Sequence, residues 1–287
     1  MSANNFSPSF PKEISGSYYM QNGKLVPVHD FNGSFLQHPY YIYEVFRVID
    51  GIALFLEDHL QRLKQTCRMA GACKDFPEKE LEKQVYQVIE NNNVTEGNIK
   101  IVGINEQEKI QFLIYNKPHQ YPSAEQYQKG VDVVLFSGHR KKPNAKIMDA
   151  ELRKRNQETI EKQDVYETLL VNKEGFITEG SSSNVFFVRN EEVLTPPLKD
   201  ILPGVTRRHI MDICRENKII ITEEKIRARA LVIMEAVFIS GTSKKVLPVK
   251  KIQNLDFSVP HPLVDKIANL FNERVAAYVE LWQKKYH

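Results

Sequence analysis

The hydrophobic period changes early in the chain, and that change restricts the fold more than any other feature. "YIYEVFRVIDGIALF" alternates in the manner of a strand and turns at Asp50-Gly51. From Glu57 the spacing lengthens, and Leu60, Leu63, Cys67 and Ala70 recur at three- and four-residue steps, which marks one helix face. A chain that does both in succession must pack helices against sheet.

The same grammar continues on both sides. "YYMQNGKLVPV" reads as a hairpin in which Asn22-Gly23 supplies the positive φ of a tight turn. A second helix is expected after Pro77, through "EKELEKQVYQVIENN", because proline suits a first turn. "NIKIVGI" and "IQFLIYN" are two further strands around a short polar turn. "NKPHQYPSAEQYQKG" then carries two prolines and no periodicity, and residues 119–130 are expected to link two domains, 1–118 and 131–287. Beyond it come the strand "VDVVLF", a helix over roughly 148–163, and the strands "VYETLLV" and "SNVFFV". A Pro-Gly stop precedes the amphipathic helix of "ILPGVTRRHIMDICREN", and a long amphipathic helix closes the chain. The expected class is α+β in two lobes, with the first ~15 residues, rich in Ser, Asn and Pro, loosely packed.

Composition narrows the function classes. Lys and Arg exceed Asp and Glu by 39 − 36 = +3. The densest basic run, His139 to Lys142, is too short for a phosphate-tracking face, which argues against nucleic acid as the partner. Cys67, Cys73 and Cys214 are odd in number and lack paired spacing, which argues against a disulfide framework or a metal site and fits a reducing compartment. "MSANNFSPSFPKEIS" has no apolar core, and no window approaches 18 apolar residues, so a cytoplasmic location with no membrane partner is expected.

Chemistry concentrates in four stretches. "ITEGSSSNVFFV" sets Glu179, a glycine, three serines and an asparagine between apolar strand ends, which is either a hairpin tip or a carboxylate aimed into a site. "LPGVTR" opens a helix at Val205-Thr206, where free backbone N–H groups suit an anion, although an ordinary Pro-Gly turn reads the same way. "FISGTSKKVLPV" puts Gly241 and Thr242 just past a strand end, and "EDHLQRLKQT" puts Arg62, an anion ligand or a solvated arginine, early in a helix. His59 is given no role.

Taken in this order, the stretches resemble the class IV, or fold type IV, pyridoxal-phosphate (PLP) enzymes, which include D-amino acid and branched-chain aminotransferases and aminodeoxychorismate lyase. The resemblance runs through "YEVFRVIDG…HLQRL", "PNAKIMDA", "YETLLVNKEGFITEGSSSNVFFV", "TPPLKDILPGVTRRHI" and "FISGTSKKVLPV". It implies a two-domain fold with an interdomain cleft, and a homodimer. Its cofactor lysine falls on Lys146, with Lys141 and Lys142 as nearby rivals. That amine would link to the cofactor aldehyde and shuttle a proton at the substrate α-carbon, which requires a deprotonated lysine in a shielded pocket. Glu179 takes the place of the acid at the pyridine nitrogen, with Ser181 to Asn184 supplying polar groups for the turn beside it. Arg62, the backbone of Val205 and Thr206, and the Gly241-Thr242 turn take the phosphate positions. Tyr43 matches a substrate-side tyrosine, or is simply a half-buried strand aromatic. Lys100 falls where some branched-chain enzymes bind a carboxylate.

The chain also departs from the family. "LQHPYYIYEV" stands where a Gly-Asp-Gly-like turn is usual, the "NEQEK" loop is short, and Asp149 and Glu151 follow the lysine where tyrosine or asparagine is common. These differences leave the cofactor residues in place and bear on the substrate. The expected activity is transfer of an amino group between a small amino acid, branched-chain or D-type, and a 2-keto acid. The alternatives are pyruvate elimination of the aminodeoxychorismate lyase type and a PLP-binding relative with little turnover.

Overall fold

A computed structural model describes residues 13–31, 33–38, 41–72, 75–106 and 109–286. Residues 1–12, Cys73, and parts of the "LQHPYYIYEV" and "NEQEK" stretches lie outside the described residues. The fold is α+β, built on two sheets. The first draws on β1 (Ser15–Gln21), β2 (Lys24–Pro27), β3 (Ile42–Ile49), β4 (Ile52–Ala53), β5 (Glu96–Glu106) and β6 (Lys109–Lys117), in the order β2-β1-β6-β5-β3-β4. Asn22 and Gly23 have φ of 50° and 80°, and Asp50 and Gly51 have 51° and 76°, so both expected turns use the left-handed region.

Alternation on β3 decides what each sheet face does. Ile42, Phe46 and Val48 point to a face covered by α1 (Leu56–Met69) and α2 (Glu78–Asn91), where they meet Leu60, Leu63, Val85 and Val88. Leu60, Leu63 and Cys67 form the buried face of α1, while Ala70 is its exposed cap residue. The opposite face of the sheet carries Tyr43, Lys100 and Tyr115 and looks toward the second half of the chain.

Between the sheets, the segment read as aperiodic holds a short helix, α3 (Ala124–Lys129). Six residues are too few to display a hydrophobic period. A reciprocal pair of hydrogen bonds between Ser123 and Gln126 starts it instead.

The second sheet is formed by β7 (Val131–Ser137), β8 (Glu167–Val171), β9 (Phe176–Gly180), β10 (Asn184–Arg189), β11 (Glu192–Thr195), β12 (Ile221–Glu223), β13 (Ile226–Arg227), β14 (Ala236–Gly241), β15 (Lys245–Ile252) and β16 (Leu255–Asp256). Its order is β12-β11-β10-β14-β15-β7-β8-β9-β13, with β16 beside β15. Ile177 of β9 and Leu194 of β11, far apart along that path, share one apolar cluster, so the sheet curls around it. The helix α4 (Ala150–Gln163) follows β7. It begins two residues later than the spacing suggests, because the Asp149 side chain caps it by accepting from Leu152 N at 2.9 Å.

The other face of this sheet packs against α5 (Val205–Glu216) and α6 (Pro262–Tyr286), with Phe186 and Phe238 stacked 4.7 Å apart at its centre. α6 also reaches the first half of the chain. Its Tyr278 packs on Phe55 at 4.7 Å and donates to Glu57 Oε2 at 2.7 Å. Among the described residues, no helix is long and apolar enough to cross a membrane.

Phe186 is fully buried. Phe186→Ala should therefore lower unfolding free energy by about 3–5 kcal/mol, read from urea midpoints at unchanged m-value.

Candidate active site

Lys146 is fixed by its backbone. Residues 146–148 run antiparallel to the start of β3, with Tyr43 N donating to Lys146 O at 3.0 Å and Met148 N donating to Tyr41 O at 2.9 Å. Lys146 N donates to Thr66 Oγ1 on α1 at 3.2 Å. The side chain enters a cleft of about 510 Å³ between the two sheets, with its Nζ 4.7 Å from the centroid of the Tyr43 ring. Burial pushes the amine below its ordinary value; Arg62 and Arg140 act in the same direction, Tyr43 and Glu44 against it. Lys141 and Lys142 are exposed and line a separate cavity of about 530 Å³. Of the three lysines, only Lys146 lines the cleft.

Glu179 lies at the end of β9, 2% exposed. Its Oε1 accepts from Arg140 Nε at 3.0 Å and its Oε2 from Leu202 N at 3.3 Å. Burial raises the carboxyl above its ordinary value, against the pull of Arg140, the Leu202 amide and Lys146. Arg140 also donates to Ser181 O at 3.3 Å and lines the cleft. In the sequence this residue is indistinguishable from the rest of the basic run His139 to Lys142. The "TEGSSSN" and "LPG" stretches are knitted together here, since Asn184 Nδ2 donates to Leu202 O at 3.0 Å. A Cβ on Gly204 would collide with Asn184 Oδ1, so that position requires glycine. Asn144, two residues before the lysine, donates to Leu198 O and Ile201 O at 2.7 and 2.9 Å.

Arg62 is buried, and its paired face is directed at Glu44. Nε donates to Glu44 Oε2 at 2.8 Å and Nη2 to Oε1 at 2.5 Å. Nη1 donates to Pro203 O at 3.1 Å, which ties the guanidinium to the start of α5. Burial alone would raise the Glu44 carboxyl, but Arg62 and His59 outweigh it and hold the carboxyl well below the usual range. Glu44 was legible in principle: it is the charged residue in the otherwise apolar row Ile42, Phe46, Val48.

α5 begins at Val205 with no side-chain cap and no acidic residue in its first turn, leaving its leading N–H groups available to an anion. Arg62 and Val205 line a cavity of about 280 Å³ beside the cleft, whereas Thr242 lines the cleft itself. Thr242 Oγ1 donates to Val45 O at 3.2 Å, one residue from the Arg62 partner Glu44. Gly241 ends β14 against the Ser182 backbone.

At the far side of the cleft, Lys100 Nζ donates to Glu13 Oε1 at 2.8 Å, and Tyr115 hydroxyl donates to the same oxygen at 3.0 Å. The rings of Tyr41, Tyr43 and Tyr115 surround this ammonium at 5.4, 5.8 and 5.7 Å. An internal carboxylate therefore faces Lys100, at the position expected to meet a substrate carboxylate. Burial would raise the Tyr43 hydroxyl, but Lys146, Arg140, Arg153 and Lys100 together bring it down to about 8.

A family model described as "Amino-transferase class IV" matches residues 41–252. The chain belongs to this family. The D-alanine aminotransferase of Bacillus licheniformis is 27% identical over 79% of this chain and 84% of its own. A putative branched-chain-amino-acid aminotransferase of Methanocaldococcus jannaschii is 25% identical over 80% and 86%. The fold matches that of the Escherichia coli branched-chain amino acid aminotransferase with a TM-score of 0.83, at 22% identity over 91% of this chain and 95% of that one. Class IV aminotransferases are PLP enzymes, and this chain is a PLP-dependent aminotransferase.

Two outcomes are expected from the geometry. Glu44→Ala leaves Arg62 buried without its ion partner and should cost about 3–5 kcal/mol in chemical unfolding. Tyr43, held near 8 against an ordinary 10.0, releases its proton earlier in the folded state than in the unfolded one. Its contribution to stability is therefore full above pH 10.0, shrinks toward pH 8 and is lost below it. An ultraviolet titration of the cofactor-free protein should show one phenol ionising near pH 8, absent in Tyr43→Phe.

Proposed function

We propose that Lys146 is the residue to which PLP is attached, that Glu179 meets its ring nitrogen, and that the reaction moves an amino group between a small amino acid and a 2-keto acid. The observation that carries this reading is that Lys146 and Arg140 line one cleft, with Arg140 bonded to the buried carboxyl of Glu179. The donor set suits the cofactor. An amine is offered to an aldehyde, an uncapped helix start and Arg62 to a phosphate, and an acid to a ring nitrogen.

Bound there, PLP supplies the electron sink for the pair of electrons left when the substrate α-carbon gives up its proton. Lys146 Nζ, whose hold on its own proton is loosened by burial, would take that α-proton and return it later as an acid. Glu179 would meet the ring nitrogen and keep a proton on it. Arg140 fixes the carboxyl's orientation by bonding one oxygen. Arg62, the N–H groups of Val205 and Thr206, and the Gly241-Thr242 turn would hold the phosphate. Arg62 would do so with the Nη1 N–H that Pro203 O leaves free, while Glu44 sets its orientation.

Tyr43 and Lys100 form the substrate side. Tyr43 meets the substrate through its hydroxyl, and Lys100, paired with Glu13, contributes positive potential across the tyrosine rings. Branched-chain and D-amino acids are the substrate classes supported by the named relatives. The division into domains 1–118 and 131–287 is supported by one sheet on each side of residues 119–130. A homodimer follows from the family resemblance, and a cytoplasmic location is supported by an odd number of cysteines without paired spacing.

The test is the visible spectrum of purified protein with added PLP, for wild type and Lys146→Ala. A long-wavelength band should form, bleach with an amino acid, and be lost in the variant. A band unchanged in Lys146→Ala would show that another lysine carries the cofactor. A panel of L- and D-amino acids, each with a 2-keto acid, then identifies the substrate. Pyruvate released without an amino acceptor would reassign the chain to elimination.

A further inference from the structure

Glu167 has no part in the reading above, although it lines the cleft. β8 places its carboxylate, 1% exposed, beneath the turn that follows Glu179. Oε1 accepts from Ser181 Oγ at 3.1 Å, Ser182 N at 2.5 Å and Ser182 Oγ at 3.0 Å. Oε2 accepts from Ser183 Oγ at 3.0 Å and pairs with Lys244 Nζ at 3.5 Å. The three serines of "EGSSSN" thus converge on one buried ion from the neighbouring strand. The ion approaches so closely that a Cβ on Gly180 would overlap Ser183 Oγ and stand 2.9 Å from Glu167 Oε1.

Lys244 brings in a second loop. Its Nζ donates to Ser182 Oγ at 2.9 Å as well as pairing with Glu167. Lys244 closes the turn that begins at Gly241, where a Cβ would meet Ser182 O at 3.5 Å. One carboxylate therefore joins the turn attached to Glu179 to the turn that carries Thr242. A buried ion satisfied by this many donors tolerates little displacement of any of them.

We propose that Glu167 is a positioning residue for the amino-transfer reaction, holding the 180–183 turn and the 241–244 turn in register so that Glu179 and Thr242 stand at a fixed separation. The inference rests on the assignment of those two residues to the cofactor. A carboxylate is required because all its neighbours donate. A glutamine would keep the volume but turn an N–H₂ group toward a serine hydroxyl or the Lys244 ammonium.

The test compares wild type, Glu167→Gln and Lys244→Met. Each is measured for PLP dissociation constant, kcat and KM, melting temperature, and amide hydrogen exchange at Ser181–Ser183 and Thr242–Lys244. Glu167→Gln should bind PLP about tenfold or more weakly, the effect of losing one charge-assisted hydrogen bond. It should also exchange faster in both turns. Lys244→Met should exchange faster in the 241–244 turn and raise KM severalfold.

A Glu167→Gln protein with a lower melting temperature but unchanged PLP affinity, KM and kcat would show a merely structural carboxylate and overturn the proposal. If Glu167→Gln does not fold, Lys244→Met decides, and unchanged exchange with unchanged KM overturns it. Failure of the wild type to bind PLP would remove the cofactor assignments, whereas the exchange data would still report whether Glu167 ties the two turns together.

Discussion

Two backbone hydrogen bonds, joining Tyr41 and Tyr43 to Met148 and Lys146, set the geometry of the whole cleft. A lysine on a connecting segment would ordinarily share the mobility of loops. Here the segment is paired onto the first strand of the other sheet and tied again to Thr66 on α1. The amine is thereby referenced to the first sheet, although the residue belongs to the second half of the chain. Its 4.7 Å separation from the Tyr43 ring follows from that pairing, because the two residues are bonded neighbours across it.

The surrounding polar groups are arranged as compensated pairs. Glu44 faces Arg62, Glu179 faces Arg140, Glu167 faces three serines and Lys244, and Lys100 faces Glu13. Removing such ions from water costs several kcal/mol each, and their mutual attraction returns that cost only when the geometry is good. Apolar replacements could be as stable, so stability alone does not account for them. What these pairs supply is orientation: each fixes a carboxylate or cation at an angle that a mobile side chain would not keep. The chain thereby holds charged groups in a shielded cleft, where their fields act on a substrate with little screening by water.

The elements themselves were legible because period and turn chemistry are local properties. β3 and α1 could be read from the spacing of Ile42 to Val48 and of Leu60 to Cys67, and the hairpins from Asn22-Gly23 and Asp50-Gly51. Lys146, Glu179 and Arg62 could be singled out because they stand inside motifs; Lys146 lines the cleft, and Glu179 is buried behind Arg140, which lines it too. Arg140 was not legible: nothing local separates a guanidinium that turns inward to Glu179 from its solvated neighbours Lys141 and Lys142. The partner of Lys100 was hidden for a related reason, since Glu13 is 87 residues away in sequence. The serines were read as support for their own turn, but their acceptor is on a different strand, beyond any local pattern.

The two halves contribute different things to the cleft, and this explains why they must be held rigidly. Tyr43 and Lys100 line it from the first, whereas Lys146, Arg140 and Thr242 line it from the second. A hinge between them would change every distance across the site, and a shift of about 1 Å in such a constellation can cost on the order of a hundredfold in rate. The 146–148 pairing resists that motion at one edge. α6 resists it elsewhere, through Tyr278 on Glu57 and through Phe55, whose ring lies against Tyr278, Phe271 and His209. Thr242 adds a third tie by donating to Val45 O, so a residue at the cleft wall also joins the halves. The two halves are thus braced by three sets of contacts, two at the cleft and one through α6 away from it, and the separation between Tyr43 and Glu179 is set by packing and hydrogen bonds before any substrate arrives.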